Sequence, residues 1–249
     1  MHTHGFKIAA LALAMIFAPA VAGAAELTLL ISNAVKTVME DLAPRFEAAT
    51  GHKLAITYGS TNPMEARIEK GEAFDLTILG DDAIHDLIKQ GKLVAATRTV
   101  IARSGLGLAI LKGAPKPDIS TTDGFKRTLL DAKSIAYLDD GLTGTYLKVL
   151  FQRLGIADNV KSKHKGVRGA EAVAAGEVEL GVTQISEILY QKGTQLAGPL
   201  PPEIQNYTNF SSAVGAGAKQ PDAARALLKY FVSPDAVRVM KANGLEPAG

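Results

Sequence analysis

Leu27 to Ser32 (LTLLIS) is a short, nearly continuous apolar run, the pattern of a strand buried on both faces of a parallel sheet. It passes through Ser32 and Asn33, both good helix caps, into Val35, Val38, Met39, Leu42 and Phe46, which share one helical face. Gly51 closes that helix, and Pro44 is a point where it can kink. The alternation repeats. Leu54 to Tyr58 reads as a strand, and Asn62-Pro63 as a cap with proline at the first position of a helix running to Gly71. Phe74 to Leu79 is another buried strand, and Asp82 to Gln90 a helix stopped by Gly91. Between Thr97 and Leu111 two extended runs are broken by Ser104-Gly105, which predicts a crossing between domains. A second series follows: strand Ser134 to Leu138, helix Gly144 to Leu154, helix Gly169 to Ala175, strand Val178 to Thr183, and extended Asn209 to Ala216. Helices Pro221 to Val232 and Pro234 to Ala242 close the chain, the first apolar at Ala224, Leu227, Leu228 and Phe231. Strands alternating with helices predict an α/β fold of two similar domains with mostly parallel sheets.

Ahead of the first strand, Ile8 to Phe17 is an apolar run of export-signal length, preceded by a segment whose only fixed cation is Lys7. Ala18 to Ala24 offers small-x-small cleavage frames at Ala20/Ala22 and Ala22/Ala24. A membrane span needs ~18 or more apolar residues, and Pro19 interrupts this run. Residues 1–24 are therefore expected to be a cleaved signal peptide, and the mature chain to be soluble outside the cytoplasm.

Of 249 residues 47% are hydrophobic, ample for a core. The formal charge of +2 lacks the basic excess of a nucleic-acid binder. The chain has no cysteine, which removes disulfides, thiolate metal sites and thiol nucleophiles together. After cleavage the histidines are His52, His85 and His164, none with metal-ligand spacing. Lys161 to Lys165 (KSKHK) is basic but has no interleaved aromatics, so it reads as a solvated loop. Gly105-Leu106-Gly107 lacks the third glycine of a dinucleotide fingerprint, and neither a phosphate loop nor a Gly-x-Ser-x-Gly elbow occurs. A monomer with no cofactor, no metal and no nucleic-acid partner is expected.

In open α/β sheets, ligands bind at the carboxyl ends of strands, where helix N-termini aim free N–H groups. That picks out six turns: Ser32-Asn33-Ala34, Gly59 to Asn62 (with Ser60 and Thr61), Gly80-Asp81-Asp82, Asp139 to Thr145 (with Thr143 and Gly144), Gly166 to Gly169 (with Val167 and Arg168), and Thr183 to Ser186 (with Gln184). Ordinary helix capping accounts for each alone. Converging, they would hold an anion by neutral dipoles, at about 1.5–3 kcal/mol per charge-assisted bond.

The LTLLISNA start, Phe46-x4-Gly51, Phe74-Asp75-Leu76, Gly144-x10-Gly155, Val167-Arg168-Gly169-Ala170 and Leu180-Gly181-Val182 line up with one family. The chain resembles periplasmic solute-binding proteins of the molybdate-binding type over essentially its whole mature length. The resemblance implies a two-lobed type II periplasmic-binding-protein fold with two crossover hinge strands, lobe 1 being 26–103 plus 208–249 and lobe 2 being 104–207. It also implies a small anion, such as molybdate or an organic polycarboxylate, passed to an ABC-type permease. Family members typically carry a hydroxyl where this chain has Ala34, a serine where it has Thr61 and a tyrosine where it has Gln184, with backbone contacts near Thr143 and Val167.

Arg103-Ser104-Gly105-x-Gly107 and Gly113-Ala114-Pro115-x-Pro117-Asp118 are similar to the aconitate isomerase branch, which interconverts cis- and trans-aconitate by a cofactor-free proton shift. On that alternative Arg168, Lys36 and Arg67 could contact carboxylates, and Asn33, Ser60, Thr61, Asn62, Thr143, Thr145 and Gln184 would add hydrogen bonds. Tyr146, Glu65, Asp81 and His85 are the candidates for the proton carrier.

Overall fold

The computed structural model describes residues 23–247, so residues 1–22 of the expected signal peptide lie outside the described residues. In chain order the elements are β1 (Glu26–Ser32), α1 (Lys36–Thr50), β2 (Lys53–Gly59), α2 (Thr61–Glu69), β3 (Leu76–Gly80), α3 (Asp81–Lys89) and β4 (Thr99–Leu111). Then come α4 (Thr122–Asp131), β5 (Ile135–Ala136), α5 (Leu142–Arg153), α6 (Ala157–Lys161), β6 (His164–Lys165), α7 (Gly169–Ala174), β7 (Leu180–Gln184) and α8 (Ile185–Tyr190). β8 (Thr194–Pro199), β9 (Tyr207–Val214), α9 (Pro221–Phe231), α10 (Pro234–Ala242) and β10 (Glu246–Pro247) complete the chain. Among the described residues no helix is long and apolar enough to cross a membrane.

The strands run in the order β2-β1-β3-β9-β4-β7-β5-β6. The parallel pairs are β1 with β2 and β3, and β5 with β6 and β7. β9 lies antiparallel to β3 and β4, and β4 antiparallel to β7 and β8. The sheet is therefore more mixed than the periodicity predicts, because the strands that join the two halves run against their neighbours.

Helices cover both faces. In the first half, α1, α9 and α10 pack Leu42, Phe46, Leu227 and Phe231 on one face, and α2 and α3 pack Ile68 and Leu87 on the other. In the second half, α4, α5 and α6 bury Phe125, Leu147, Phe151 and Val160 on one face, and α7 and α8 bury Val173 and Ile188 on the other. Gly181 lets α7 settle on β7, because a Cβ there would come within 2.5 Å of the Gly169 carbonyl oxygen.

Three expectations change. Ser104-Gly105 does not break the chain into two runs. β4 is one strand of 13 residues, in which Ser104 and Gly105 pair with Thr208 and Tyr207 of β9, and Leu106 onward pairs with β7. Beside the crossing, Gln205 stands in for a strand, its Oε1 accepting from Leu106 N–H at 2.8 Å and its Nε2 donating to Leu106 O at 3.0 Å. α2 starts at Thr61 with Ser60 as its cap, so Pro63 is the third helical residue, where its missing N–H costs no intrahelical bond. Finally, the 161–165 cluster is only in part a solvated loop: Lys161, Ser162 and Lys165 are exposed, but the two residues between them are held in place. Lys163 Nζ donates to the carbonyls of Leu130 and Ala132 at 2.5 and 2.8 Å, and His164 stacks on Tyr137 with ring centroids 3.8 Å apart.

Candidate functional site

The carboxyl ends of β1, β2 and β7 and the segment after β5 meet around one cavity. From the first half it is lined by Ser32, Asn33, Ala34, Ser60, Thr61 and Phe210. From the second half come Leu138, Gly141, Leu142 and Thr143, then Arg168, Gly169 and Glu171, then Thr183, Gln184 and Glu187. The N-termini of α2 and α5 face the cavity with Ser60-Thr61 and Gly141 to Thr143. The enclosed space is about 50 Å³, widening to about 530 Å³ counted out to the mouth. At about 10–15 Å³ per water, the innermost space holds only a few waters.

The two halves are drawn together around this space. Ser186 Oγ donates to Ala34 O at 2.8 Å, Gln184 Nε2 to Thr208 Oγ1 at 3.1 Å, and Tyr190 OH to Glu40 Oε1 at 3.1 Å at the rim. Lys36 pairs with Glu40 at 3.7 Å and sits 5.4 Å from the centre of the Tyr190 ring. Gln184 is 5% exposed and its Oε1 has no partner among the described residues. Because the Thr208 hydroxyl can donate as well as accept, the amide can present either end to a guest.

Charge in the cavity is concentrated on three residues. Arg168 Nη1 donates to Glu171 Oε1 at 3.1 Å, both side chains being nearly half exposed. Glu187, in the first turn of α8, is only partly accessible and accepts a hydrogen bond from the Thr183 hydroxyl. Burial pushes its carboxyl above the ordinary glutamate range and Glu171 adds to this, against the opposing bond from Thr183, the Arg168 charge and the Gln184 N–H. The cavity thus offers one cation, several neutral donors and one carboxyl that holds its proton more tightly than usual.

Of the residues singled out from the sequence, Ser32, Asn33, Ala34, Ser60, Thr61, Thr143, Arg168 and Gln184 line the cavity. Asn62, Arg67, Gly144, Thr145 and Val167 do not. Arg67 is bonded to Glu72 at 2.6 Å, and Thr145 Oγ1 caps back to Gly141 O at 3.1 Å. Gly144 packs against the Leu138 backbone, and Val167 is 40% exposed. None of the four proton-carrier candidates lines it either. Tyr146 donates to Ile204 O at 2.8 Å, and Asp81 is forked by Arg98 at 2.9 and 2.6 Å, accepts from Ser211 at 2.5 Å and lies 3.5 Å from His85. Glu65 sits on α2, its pKa raised by burial and then by Glu69 and Asp86. Glu187 and Glu171 were not foreseen as site residues, whereas Thr183 lies in one of the turns picked out from the sequence. The available signal was position: Glu187 falls three residues after Gln184, one residue beyond a turn already marked as ligand-facing.

Residues 27–246 match the bacterial extracellular solute-binding protein family. The chain is 34% identical over 230 residues to an aconitate isomerase of a Pseudomonas species, covering 89% of this chain and 87% of that protein. It is 30% identical over 233 residues to the molybdate-binding protein ModA of Azotobacter vinelandii, covering 90% of each. The solved periplasmic molybdate-binding protein of Azotobacter vinelandii superposes with a TM-score of 0.76 at 19% identity, over 90% of this chain and 100% of that one. At that identity the likeness speaks for the fold.

Proposed function

Because the chain belongs to the bacterial extracellular solute-binding protein family, we propose that it works in the periplasm, gripping a small organic polycarboxylate between two closing lobes and delivering it to an ABC-type permease. The lobes are 26–103 plus 208–249 and 104–207. One observation carries the ligand class: Arg168 and the donors of Ser32, Asn33, Ser60, Thr61 and Thr143 surround a cavity that also holds Glu171 and Glu187. Both acids repel any anion when ionised, and a compact tetrahedral oxyanion has no uncharged part to set against them. An extended organic acid can set its carboxylates against Arg168 and the hydroxyls and its carbon skeleton against Leu138, Leu142 and Phe210. Ala34 points the same way, since it offers no hydroxyl to an oxyanion.

A second reading, aconitate isomerisation in the same cleft, is favoured by Glu187, an enclosed carboxyl with a raised pKa, and by the isomerase relative. Titration calorimetry with trans-aconitate, cis-aconitate, molybdate and sulfate tests the ligand class. An aconitate isomer is expected to bind, molybdate not to displace it, and Arg168→Ala to weaken binding about 10- to 100-fold through one lost charge-assisted bond. Tight molybdate binding with no carboxylate binding overturns the polycarboxylate assignment.

A further inference from the structure

We propose that Glu187 is the proton carrier of the cleft, moving a hydrogen between two carbons of a bound unsaturated polycarboxylate. The inference rests on the polycarboxylate reading. Glu171 and Glu187 are the carboxyl side chains that line the cavity, and they are not equivalent. Glu171 is nearly half exposed and engaged by Arg168, which holds it as a counter-ion. Glu187 is more enclosed, and Thr183 Oγ1 donates to its Oε2, fixing the carboxyl at the cavity wall. As the third residue of α8, Glu187 could simply receive the N–H of Gln184 at the helix start. That role does not require it to line a cavity built for an anion, where a carboxylate opposes binding.

The step balances without an outside reagent. The Glu187 carboxylate takes a proton from the methylene carbon beside the double bond, and the C–H electron pair becomes the new C=C bond. The electron pair of the old C=C bond then takes the proton back from the Glu187 carboxylic acid at the far carbon. The double bond has moved by one position, and the carboxylates can exchange cis for trans placement. Negative charge passing through the guest is met by Arg168 and the neutral donors. Burial makes Glu187 more basic than a solvated glutamate, nearer to what carbon deprotonation needs. The groups facing it are Thr183 and Gln184 of β7, Arg168 at the cap of α7 and Glu171 within it. Lys36 and Glu40 of α1 reach α8 at Tyr190, one turn further on.

The test uses the mature protein with trans-aconitate in D2O, following the cis isomer and deuterium uptake by NMR, with binding measured separately by calorimetry. The wild type is expected to bind, isomerise and exchange. Glu187→Gln, which keeps the shape and can still accept at the helix start, is expected to bind at least as tightly while turnover falls about 100-fold or more. Thr183→Val, which removes a bond that lowers the Glu187 pKa, is expected to move the acid limb of the rate profile to higher pH. A Glu187→Gln protein that isomerises within about tenfold of the wild type overturns the assignment. So does a wild type that binds trans-aconitate yet gives neither product nor exchange. A wild type that fails to bind overturns the ligand class itself, and calorimetry separates that failure from the other two.

Discussion

Ser186→Ala isolates the closing of the cleft from the folding of its walls. Ser186 is 1% exposed on α8, and its hydroxyl donates to the carbonyl of Ala34, a residue 152 positions away on the opposite wall. The substitution deletes one oxygen and leaves the packing volume almost unchanged. With the lobes apart, water can satisfy both groups; with the lobes together, the Ala34 carbonyl loses this donor. The cost therefore falls on the closed state. A neutral hydrogen bond contributes about 0.5–1.5 kcal/mol net, which shifts the balance toward the open form by about 2- to 13-fold. Where the open form dominates before binding, Kd rises by the same factor. Calorimetry reads the affinity, and small-angle scattering with and without ligand reads the closure. Tyr190→Phe serves as a rim control, since its bond to Glu40 is solvent-exposed and should cost less. If Ser186→Ala lowers the unfolding free energy and leaves Kd unchanged, the contact belongs to permanent packing and the closure argument is refuted.

Two further perturbations probe the scaffold. Asp75 is 4% exposed, and its carboxylate accepts from Thr28 N–H at 2.8 Å, Lys219 N–H at 2.7 Å and Gln220 N–H at 2.9 Å, tying β1 to the segment before α9. Asp75→Ala strands these donors and should cost about 3–5 kcal/mol in urea unfolding, with Asp75→Asn intermediate because one oxygen survives; a loss below about 1 kcal/mol would contradict the account. Burial raises the Asp81 carboxyl, but the bonds from Arg98 and Ser211 and the neighbouring His85 outweigh it and hold it below the usual aspartate range. Its stabilisation is therefore fully present above the unfolded pKa of about 3.9 and is lost as pH falls through the lower native value. Arg98→Met should destabilise by about 1.5–3 kcal/mol at neutral pH and by progressively less below pH ~4, with parallel pH curves refuting the pairing.

Where one physical pattern dominated, the sequence was readable. β1 and β3 are apolar on both faces because helices cover both, and the helix stop at Gly51 is visible because only a left-handed residue, here at φ 75°, ends the helix that way. α10 runs from Pro234 to Ala242 as the caps predict. Reading failed where tertiary pairing overrides local pattern. Ser104-Gly105 resembles a break, yet both residues sit inside a ladder shared between the two halves. α4 escaped notice because Gly124 falls in its first turn, where a Cβ would press on the Asp118 carbonyl oxygen. The cavity residues were legible as strand-end turns, since topology alone sends those turns to one place. Glu187 was not, because a glutamate in a first helical turn is ordinary until the opposite wall closes over it.

The donor shell also bears on what separates a carrier from a catalyst in such a cleft. A carboxylate about 4 Å from a guest carboxylate costs up to about 4 kcal/mol at an effective dielectric of 20, which weakens carriage and is of use only to the proton transfer proposed above. Proton transfer from the guest to Glu187 moves one negative charge off an enclosed carboxyl, against the bonds from Thr183 and the Gln184 N–H that favour its ionised form, and onto a guest ringed by Arg168, Ser32, Asn33, Ser60 and Thr143. The donors that hold the anion in the ground state are then better matched to the deprotonated guest, because more charge sits where they point. That difference is what accelerates a reaction rather than merely tightening a complex. On this reasoning the step from binding to isomerisation needs no new fold, only one carboxylate placed to take up a proton and give it back beside donors that meet the charge left on the guest.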